Sequence, residues 1–328
     1  RSTLFPYTTL FRSLADERIW TYRDALAPDE VPDSLVVIGS GAIGAEFASL
    51  YCDLGSRVTL LEALPRILPG ESRAVSEAVA ASFAGRGLAT AAGVRVEGAE
   101  SAPDGVVVRY TDADGAGRIV RASRLLLAVG VAPNTGGIGL EALDVLDEHG
   151  FVRVDDHGRT GAWGLYAIGD VAGGPCLAHK AGAEALRCVD ALAGVDRGDA
   201  PEDWRAWIPR CTYTFPEVAS IGLSEERARA AGHAVRASSI RFAHNGRALG
   251  AASAEGFARV LVDEATGALL GAELVGEGVT ELIGMIAVAH AADADAQGFV
   301  RAVLPHPTRG EALRESVLSA LGRPVDSL

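Results

Sequence analysis

The residue pair with the clearest chemical potential is His306 and Glu311, in the stretch HPTRGE near the end of the chain. Histidine has the side chain whose unperturbed pKa lies nearest neutrality, so it can accept and return a proton. A carboxylate that binds one ring nitrogen fixes the tautomer and leaves the other nitrogen available as a base. The spacing permits this contact across a turn into a helix, which Thr308 could cap near Gly310. Taken alone, the pattern is also typical of a structural histidine.

A second pattern is typical of nucleotide binding. Gly39, Gly41 and Gly44 form G-x-G-x-x-G in the stretch VVIGSGAIGAEF. The first glycine permits a tight turn, the second lets the backbone approach a pyrophosphate, and the third allows close contact between helix and strand. The N-terminus of the following helix offers free N–H groups and a positive dipole end to phosphates. A structural turn is the alternative, but the flanking strand and helix favour a dinucleotide site.

An acidic residue completes this nucleotide pattern. Glu62 ends the next apolar strand, 23 residues after Gly39. Its carboxylate would accept hydrogen bonds from the hydroxyls of an adenosine ribose. The same charge would repel a 2′-phosphate, which favours NAD over NADP. Arg66, four residues further on, is a positive charge near the same position, so NADP stays an alternative to NAD.

These residues require a parallel sheet with helices to position them. The apolar runs Leu35–Ile38 and Val58–Leu61 predict buried parallel strands, and residues 42–53 between them have helical spacing. Two alternating strands joined by a DADGAG turn follow, and then an apolar strand, Leu125–Val129. Gly130 ends that strand, at the edge where parallel sheets usually bind ligands, although a plain turn explains it equally well.

The last part of the chain is typical of an α+β domain, because strands come first and helices follow. The predicted strands are Cys211–Thr214, Val218–Gly222, Ala258–Asp263 and Leu269–Val275, with a turn at Thr266 and Gly267, and the predicted helices are 277–292 and 310–321.

Composition excludes several classes of function. A net charge of −13 argues against a nucleic-acid binder, which needs Lys and Arg to neutralise phosphates. No apolar run reaches the roughly 18 residues of a membrane helix. The four cysteines have no metal-binding spacing, so we expect reduced thiols and no metal site. The reduced thiols are typical of a cytoplasmic protein. Lys180 is the one Lys among 30 basic residues, and this bias, together with the many Ala and Gly residues, indicates GC-rich DNA and a bacterial source. We interpret the occurrence of a Lys at position 180 as chance.

The first 13 residues, RSTLFPYTTLFRS, differ in composition from the rest. They match an in-frame translation of a common DNA-sequencing adapter and lack the features of a signal peptide. A short β-strand is the alternative. We therefore expect the natural protein to begin near Leu14, with the residues before it missing.

Ordered motifs give the chain a family resemblance. These are IWTYRDAL, GSGAIGAEFASLY, AVGVAPNT, GLYAIGDVAGGPCLAHKAGAEA, YTFPEVASIGLSEERA and LPHPTRGEALRESV. Together, from about Arg18 to the C-terminus, they resemble the pyridine nucleotide–disulfide oxidoreductases, and most of all the dihydrolipoyl dehydrogenases. The resemblance implies an α/β fold: a Rossmann-like NAD domain and a partial FAD domain, followed by an α+β dimerisation domain.

The resemblance also implies roles for individual residues. His306 would be the base that exchanges a proton with a dihydrolipoamide or cysteine thiol, and Glu311 its partner. Many members read H-x-H-P-T, where this chain has Leu304 at the first position. Asp170 would bind the ribityl or ribose part of FAD, although its position also suits a helix cap. The remaining FAD residues would be Cys176, Leu177, Ala178 and His179, and the NAD residues Gly39, Gly41, Ala42, Ile43, Gly44, Glu46, Glu62, Val96 and Gly130. The other histidines (His149, His157, His233, His244 and His290) are interpreted as surface or loop residues.

Two expected features of this family do not occur in the sequence: an N-terminal G-x-G-x-x-G for FAD and a C-x4-C pair. We therefore expect the C-terminal two thirds of an enzyme that oxidises dihydrolipoamide through a disulfide and FAD and reduces NAD, inactive alone. The expected partners are a second copy of the chain and the lipoyl domain of a 2-oxoacid dehydrogenase complex. Alternatives are a related NAD(P)-dependent disulfide reductase, or a non-catalytic fragment that binds NAD or dimerises.

The predicted domain boundaries follow from this comparison. Residues 1–13 are the adapter artefact, 14–31 a remnant of the FAD domain, 32–136 the NAD domain, 137–205 the end of the FAD domain, and 206–328 the dimerisation domain. A strand near Leu165–Ile168 would lack parallel neighbours. We expect exposed apolar faces there, with aggregation or local disorder.

Overall fold

The computed structural model describes residues 16–195 and 204–324. The described residues divide into two units, one of residues 130–195 and 204, the other of residues 16–129 and 205–324. The adapter-like residues 1–13 and the expected start at Leu14 lie outside the described residues. Within the described ranges, no helix has the length and apolar character needed to cross a membrane.

The strands and helices follow the order of the chain. The strands are β1 (Ile19–Trp20), β2 (Ser34–Ile38), β3 (Arg57–Leu61), β4 (Ala89–Ala91), β5 (Arg95–Ala102), β6 (Gly105–Thr111), β7 (Gly117–Ala122), β8 (Arg124–Leu127), β9 (Arg210–Thr212), β10 (Val218–Gly222), β11 (Val235–Arg241), β12 (Phe257–Asp263) and β13 (Leu269–Val275). The helices are α1 (Tyr22–Leu26), α2 (Ala42–Asp53), α3 (Arg73–Gly85), α4 (Ala178–Ala193), α5 (Glu225–Ala230), α6 (Gly246–Gly250), α7 (Val279–Ala291), α8 (Ala296–Val300) and α9 (Gly310–Ala320).

The first sheet is parallel throughout, in the order β1-β8-β2-β3-β4. Strand β2 is buried at all five positions, as expected for a strand covered on both faces. The predicted strands at 35–38 and 58–61 are confirmed with one more residue at the start, and α2 has the predicted bounds. Strand β1, which belongs to the segment assigned by sequence to an FAD remnant, lies at the edge of this sheet.

A three-stranded antiparallel sheet, β5-β6-β7, packs its apolar side chains with those of the parallel sheet. The DADGAG turn joins β6 to β7 as predicted. Strand β5 is not apparent from the sequence because polar and small residues interrupt its apolar positions, and a shift in register falls between Val96 and Gly98.

The C-terminal residues form an antiparallel sheet in the order β11-β12-β13-β10-β9, which packs on α7 and α9. The four predicted strands and both helices are present, with ends that differ by one or two residues. Strand β11 was missed, because its sequence VRASSIR carries few apolar residues. It nevertheless pairs with β12 along its whole length.

The parallel sheet and the C-terminal sheet share one apolar core. Val218 of β10 and Val275 of β13 belong to the same buried cluster as Leu35 and Phe83. A buried hydrogen bond of 2.9 Å from Ser72 Oγ to Glu273 Oε2 also joins them. Burial raises the pKa of the Glu273 carboxyl, although the Ser72 hydroxyl and Arg259 act in the opposite direction.

The unit of residues 130–195 and 204 contains helix α4 and no strand among its described residues. The predicted strand Leu165–Ile168 is wrong, since only an isolated bridge between Arg159 and Tyr166 forms there. A short apolar run needs neighbouring strands to complete its hydrogen bonds, and none lies beside it in this unit. Leu165–Ile168 are only half-buried, and the exposed apolar residues of this unit include Leu186 (69% exposed), Val189 and Leu192 on α4. The expected aggregation stays a prediction.

Candidate functional site

The glycine loop between β2 and α2 has the steric requirements that its sequence predicts. Gly39 has a φ of +96°, and a Cβ there would lie 2.3 Å from the carbonyl oxygen of Ala128. A Cβ on Gly44 would lie 1.9 Å from the carbonyl oxygen of Gly39. Side chains at these two positions would therefore force the turn away from the helix and from the end of β8.

Gly41 is different, because a Cβ there would meet nothing within 4 Å. It is the N-cap residue of α2, with extended backbone angles and no side-chain hydrogen bond at the cap. The N–H groups of Ala42 and Ile43, in the first turn of α2, have no carbonyl partner of their own helix. The loop thus presents open backbone and a helix N-terminus, which is the arrangement that binds a pyrophosphate.

The carboxylate of Glu62, just beyond β3, is buried and holds the glycine loop. Its Oε2 accepts hydrogen bonds of 2.7 Å from both the N–H and the Oγ of Ser40. Its Oε1 accepts a 2.8 Å hydrogen bond from the N–H of Leu64. A carboxylate has about four acceptor positions, so these three bonds leave one on Oε1 for a further donor.

Arg66 has partners of its own near the same strand end. One terminal nitrogen donates to the carbonyl of Glu71 at 3.3 Å and lies 3.8 Å from the carboxylate of Glu226. The guanidinium is therefore shared between a backbone carbonyl and an acidic side chain.

The structure distributes the other residues assigned to NAD over both units. The carboxylate of Glu46 accepts a 2.8 Å hydrogen bond from the N–H of Tyr213, and burial raises the pKa of this glutamate. Val96 is half-buried in the apolar cluster beneath β5. Gly130 belongs to the other unit and has a φ of +115° with open space around it.

The contact between His306 and Glu311 is present. His306 Nδ1 lies 2.8 Å from Glu311 Oε1. Because an ionised carboxylate only accepts, Nδ1 carries the hydrogen and Nε2 is left with its lone pair. The histidine side chain is 81% exposed. Partial burial acts to raise the pKa of Glu311, but hydrogen bonds from the Thr308 N–H and from His306 hold it below its usual value.

Thr308 does not cap helix α9 with its side chain, contrary to the prediction. Its Oγ1 donates to the carbonyl of Pro305 at 2.9 Å, while its N–H donates to Glu311 Oε2 at 2.7 Å. The capping interaction therefore runs from Glu311 back to the loop. The same carboxylate orients the histidine and closes the first turn of the helix.

The residues assigned to FAD lie in the unit of residues 130–195 and 204. Asp170 is exposed in the 3-10 turn Gly169–Ala172 and is not a helix cap, since Ile168 precedes that turn and Leu177 is the N-cap of α4. Cys176 is exposed, and Ala178 and His179 lie on the exposed side of the first turn of α4. Burial and the Asp170 charge raise the pKa of the Cys176 thiol.

Lys180 is a residue whose role sequence reasoning missed. It is 1% exposed, and its Nζ donates to the carbonyls of Gly169 and Gly173 and lies 3.1 Å from Glu184 Oε1. Glu184 Oε2 accepts a 2.8 Å hydrogen bond from the Gly169 N–H. The interpretation of Lys180 as chance is therefore wrong. A helical spacing of four residues from Glu184, in a chain that otherwise uses Arg, was the available signal.

Replacing Lys180 with Met is expected to loosen the turn that carries Asp170. The change leaves the Glu184 carboxylate buried without its ion pair. This should lower the free energy of unfolding by about 3–5 kcal/mol. Hydrogen exchange at the Gly169 amide should accelerate on the order of a hundredfold. The matched control is Arg73→Met, which breaks an exposed pair of the same spacing with Glu77 and should leave this amide unchanged. Equal exchange rates in the two variants would contradict the assignment.

Two other histidines make contacts that the sequence did not indicate. His233 lies in the loop between α5 and β11, in agreement with the predicted loop position, and its Nδ1 lies 2.9 Å from Asp263 Oδ2. His290 belongs to helix α7, and its ring stacks on Trp207 with centroids 3.6 Å apart. Both contacts join residues distant in sequence, so no local pattern indicates them.

Comparison with known proteins places this arrangement in a family. Residues 12–185 match the family model of the pyridine nucleotide-disulphide oxidoreductases, and residues 208–317 match the dimerisation domain of the same family. Dihydrolipoyl dehydrogenase from Zymomonas mobilis is 42% identical over 307 residues, which are 94% of this chain and 66% of the relative. The corresponding enzyme from Chlorobaculum tepidum is 43% identical over 305 residues, or 93% and 64% of the two chains.

Solved structures give the same result. The crystal structure of LpdA from Mycobacterium tuberculosis matches with a TM-score of 0.84 and 31% identity, over 93% of this chain and 65% of that one. The HOCl-induced flavoprotein disulfide reductase RclA from Escherichia coli matches with a TM-score of 0.82 and 26% identity, over 92% and 68%. The chain thus spans just under two thirds of the length of the curated relatives it matches. With both family models matched in order along it, the chain belongs to the pyridine nucleotide-disulphide oxidoreductase family.

Proposed function

We propose that this chain supplies the NAD-binding and dimerisation parts of a dihydrolipoyl dehydrogenase, which oxidises dihydrolipoamide to lipoamide through a cysteine disulfide and FAD and reduces NAD. The observation that carries the proposal is the contact between His306 and Glu311, which makes a base of the right kind in the domain that matches the family's dimerisation model. The relatives named dihydrolipoyl dehydrogenase, at about the same identity in several bacteria, support this substrate.

The residues around α2 suit NAD. Gly41 leaves room for the pyrophosphate against the backbone, and the helix N-terminus compensates the phosphate charge. Glu62 accepts a hydrogen bond from an adenosine ribose hydroxyl at its remaining acceptor position. Glu46 and Val96, which belong to the same unit as the glycine loop, line the rest of the NAD site in this proposal. The role of Gly130, which belongs to the other unit, stays a prediction from the sequence.

The histidine serves the thiol chemistry. Nδ1–H stays bonded to Glu311, so Nε2 takes the proton of a dihydrolipoamide or cysteine thiol and later returns it. The Glu311 carboxylate stabilises the imidazolium that forms in between. Flavin, when bound, passes electrons between thiols and nicotinamide, and the exposed Asp170 and residues 176–179 are the groups of this chain that would contact it.

The partners follow from the same proposal. Residues 208–317, which match the dimerisation domain, form a homodimer with a second copy. The lipoyl domain of a 2-oxoacid dehydrogenase complex delivers the substrate. A cytoplasmic location is part of the same proposal, and the bacterial origin of the relatives supports it.

A fusion tests the activity. It joins this chain to the part of the Zymomonas mobilis relative that the chain does not match. We expect the fusion to form NADH from dihydrolipoamide, and the chain alone to bind NAD without turnover. Reduction of glutathione disulfide or mercuric ion with NADPH, in place of this reaction, would favour the disulfide-reductase alternative and overturn the proposal.

Replacing Glu62 with Ala tests the nucleotide preference on the chain itself. The change removes an acceptor for the ribose and a charge that opposes a 2′-phosphate, so NAD affinity should fall by about tenfold or more while NADP affinity falls less. Titration calorimetry with both nucleotides measures the ratio. Ser40→Ala is the matched control, because it removes a donor to the same carboxylate and keeps the charge. A ratio of NAD to NADP affinity that is unchanged by Glu62→Ala would contradict the assignment.

A further inference from the structure

Among the described residues, one hydrogen bond orients the ring of His306. Its ring is largely exposed, and its hydrogen bond within the described residues goes to Glu311 Oε1. The histidine lies in the loop between α8 and α9, so neither helix holds its backbone directly. What holds Glu311 and the loop backbone therefore decides which way the ring points.

Glu311 is held through Thr308. The second carboxylate oxygen accepts the 2.7 Å hydrogen bond from the Thr308 N–H. Because one rigid carboxylate bonds both the loop backbone and the ring, displacement of Thr308 moves the acceptor that His306 uses.

Thr308 is held in turn by Asn245, which lies 63 residues away in sequence. The Asn245 amide nitrogen donates to the Thr308 carbonyl at 3.0 Å, and its amide oxygen accepts from the Ala248 N–H at 3.0 Å as the N-cap of α6. Asn245 is 6% exposed. A buried amide with both ends bonded has a fixed orientation, so it is a rigid support for the loop.

Arg309 attaches the next residue of the loop to the same segment. Its guanidinium donates to the Ser253 carbonyl at 3.1 Å, lies 3.4 Å from Glu277 Oε1, and sits 5.7 Å from the ring centroid of Phe242. Residues 242–253 thus support two successive loop residues, Thr308 and Arg309.

We propose that Asn245 is a positioning residue for His306: through Thr308 and Glu311 it keeps Nδ1–H bonded and Nε2 free. The importance of this tautomer for turnover rests on the proposed function, whereas the tautomer itself is a property of the chain. Asn245 does not touch the reacting atoms.

The test is the tautomer of His306, read from ring 15N shifts in the histidine-labelled chain at about pH 8.5, well above the usual histidine pKa. The signal is assigned with His306→Gln. In Asn245→Ser, which keeps a cap acceptor and lacks the amide donor, we expect the ratio of Nδ1–H to Nε2–H forms to fall about fivefold, which corresponds to about 1 kcal/mol. Asn245→Asp also keeps a cap acceptor and lacks the amide donor to the Thr308 carbonyl. It should lower the ratio of Nδ1–H to Nε2–H forms at least as far.

The matched control is Asp295→Ser, a change at the cap of another five-residue helix, α8. It should cost stability without changing the His306 tautomer. A ratio in both Asn245 variants equal to that of the control would overturn the proposal. A measurement on the unaltered chain adds a check that needs no variant: the Asn245 side-chain amide must exchange slowly, and fast exchange would also overturn it. Failure of the fusion to oxidise dihydrolipoamide would remove the proposed function and leave these results standing.

Discussion

Replacing His306 with Gln is expected to lower dihydrolipoamide turnover by the fusion about 10²–10⁴-fold, the usual contribution of a positioned acid–base group. Glutamine keeps a polar side chain of similar length but cannot take up a proton. The loss should appear in kcat for thiol oxidation. NAD binding should be unchanged, because His306 lies in the loop between α8 and α9, whereas the glycine loop lies between β2 and α2.

The measurement is steady-state NADH formation, with His149→Gln as the matched control. His149 is an exposed histidine beside a glutamate, at 3.5 Å from Glu148, but without the loop that holds His306. We expect its variant to keep full activity. A loss of less than about threefold in the His306 variant would contradict the role of this histidine as the base.

Replacing Gly44 with Ala is expected to abolish NAD binding by the chain and to lower its free energy of unfolding by about 1–3 kcal/mol. The added methyl group would lie 1.9 Å from the Gly39 carbonyl oxygen, and relief of that overlap requires the turn or the helix to move. Calorimetric titration with NAD and chemical denaturation measure the two effects.

Gly41→Ala is the informative partner of that variant. Its methyl group meets nothing within 4 Å and its backbone angles suit alanine, so the fold should keep its stability. The methyl group would nevertheless occupy the surface that the pyrophosphate approaches, and NAD affinity should fall. Unchanged NAD affinity in Gly41→Ala would show that the nucleotide binds elsewhere.

The sequence alone predicted those parts of the fold and of the site that depend on interactions between residues close together in the chain. The run of β2, the helix spacing of α2 and the glycines between them lie within 20 residues, and their bounds were predicted to within one residue. The contact of His306 with Glu311 also spans only five residues. In both cases side-chain size and hydrogen-bonding capacity restrict the backbone without help from distant parts of the chain.

Other features depend on partners that no local pattern contains. The apolar run Leu165–Ile168 was read as a strand, but a strand exists only where a neighbour completes its hydrogen bonds. Strand β11 is the converse case, because its largely polar sequence forms a strand through its pairing with β12. Asn245 could not be connected with His306 either, since the hydrogen bond to Thr308 joins residues that the chain separates by 63 positions.

The shared core of the parallel sheet and the C-terminal sheet has a thermodynamic consequence. Since Val218 and Val275 are buried with Leu35 and Phe83, neither sheet can unfold without exposing apolar surface of the other. A ligand that binds only the native state stabilises everything that unfolds with its site. If two copies associate through residues 208–317 as proposed, NAD bound at the glycine loop would also protect that surface, so that coenzyme occupancy and the stability of the dimer would rise together.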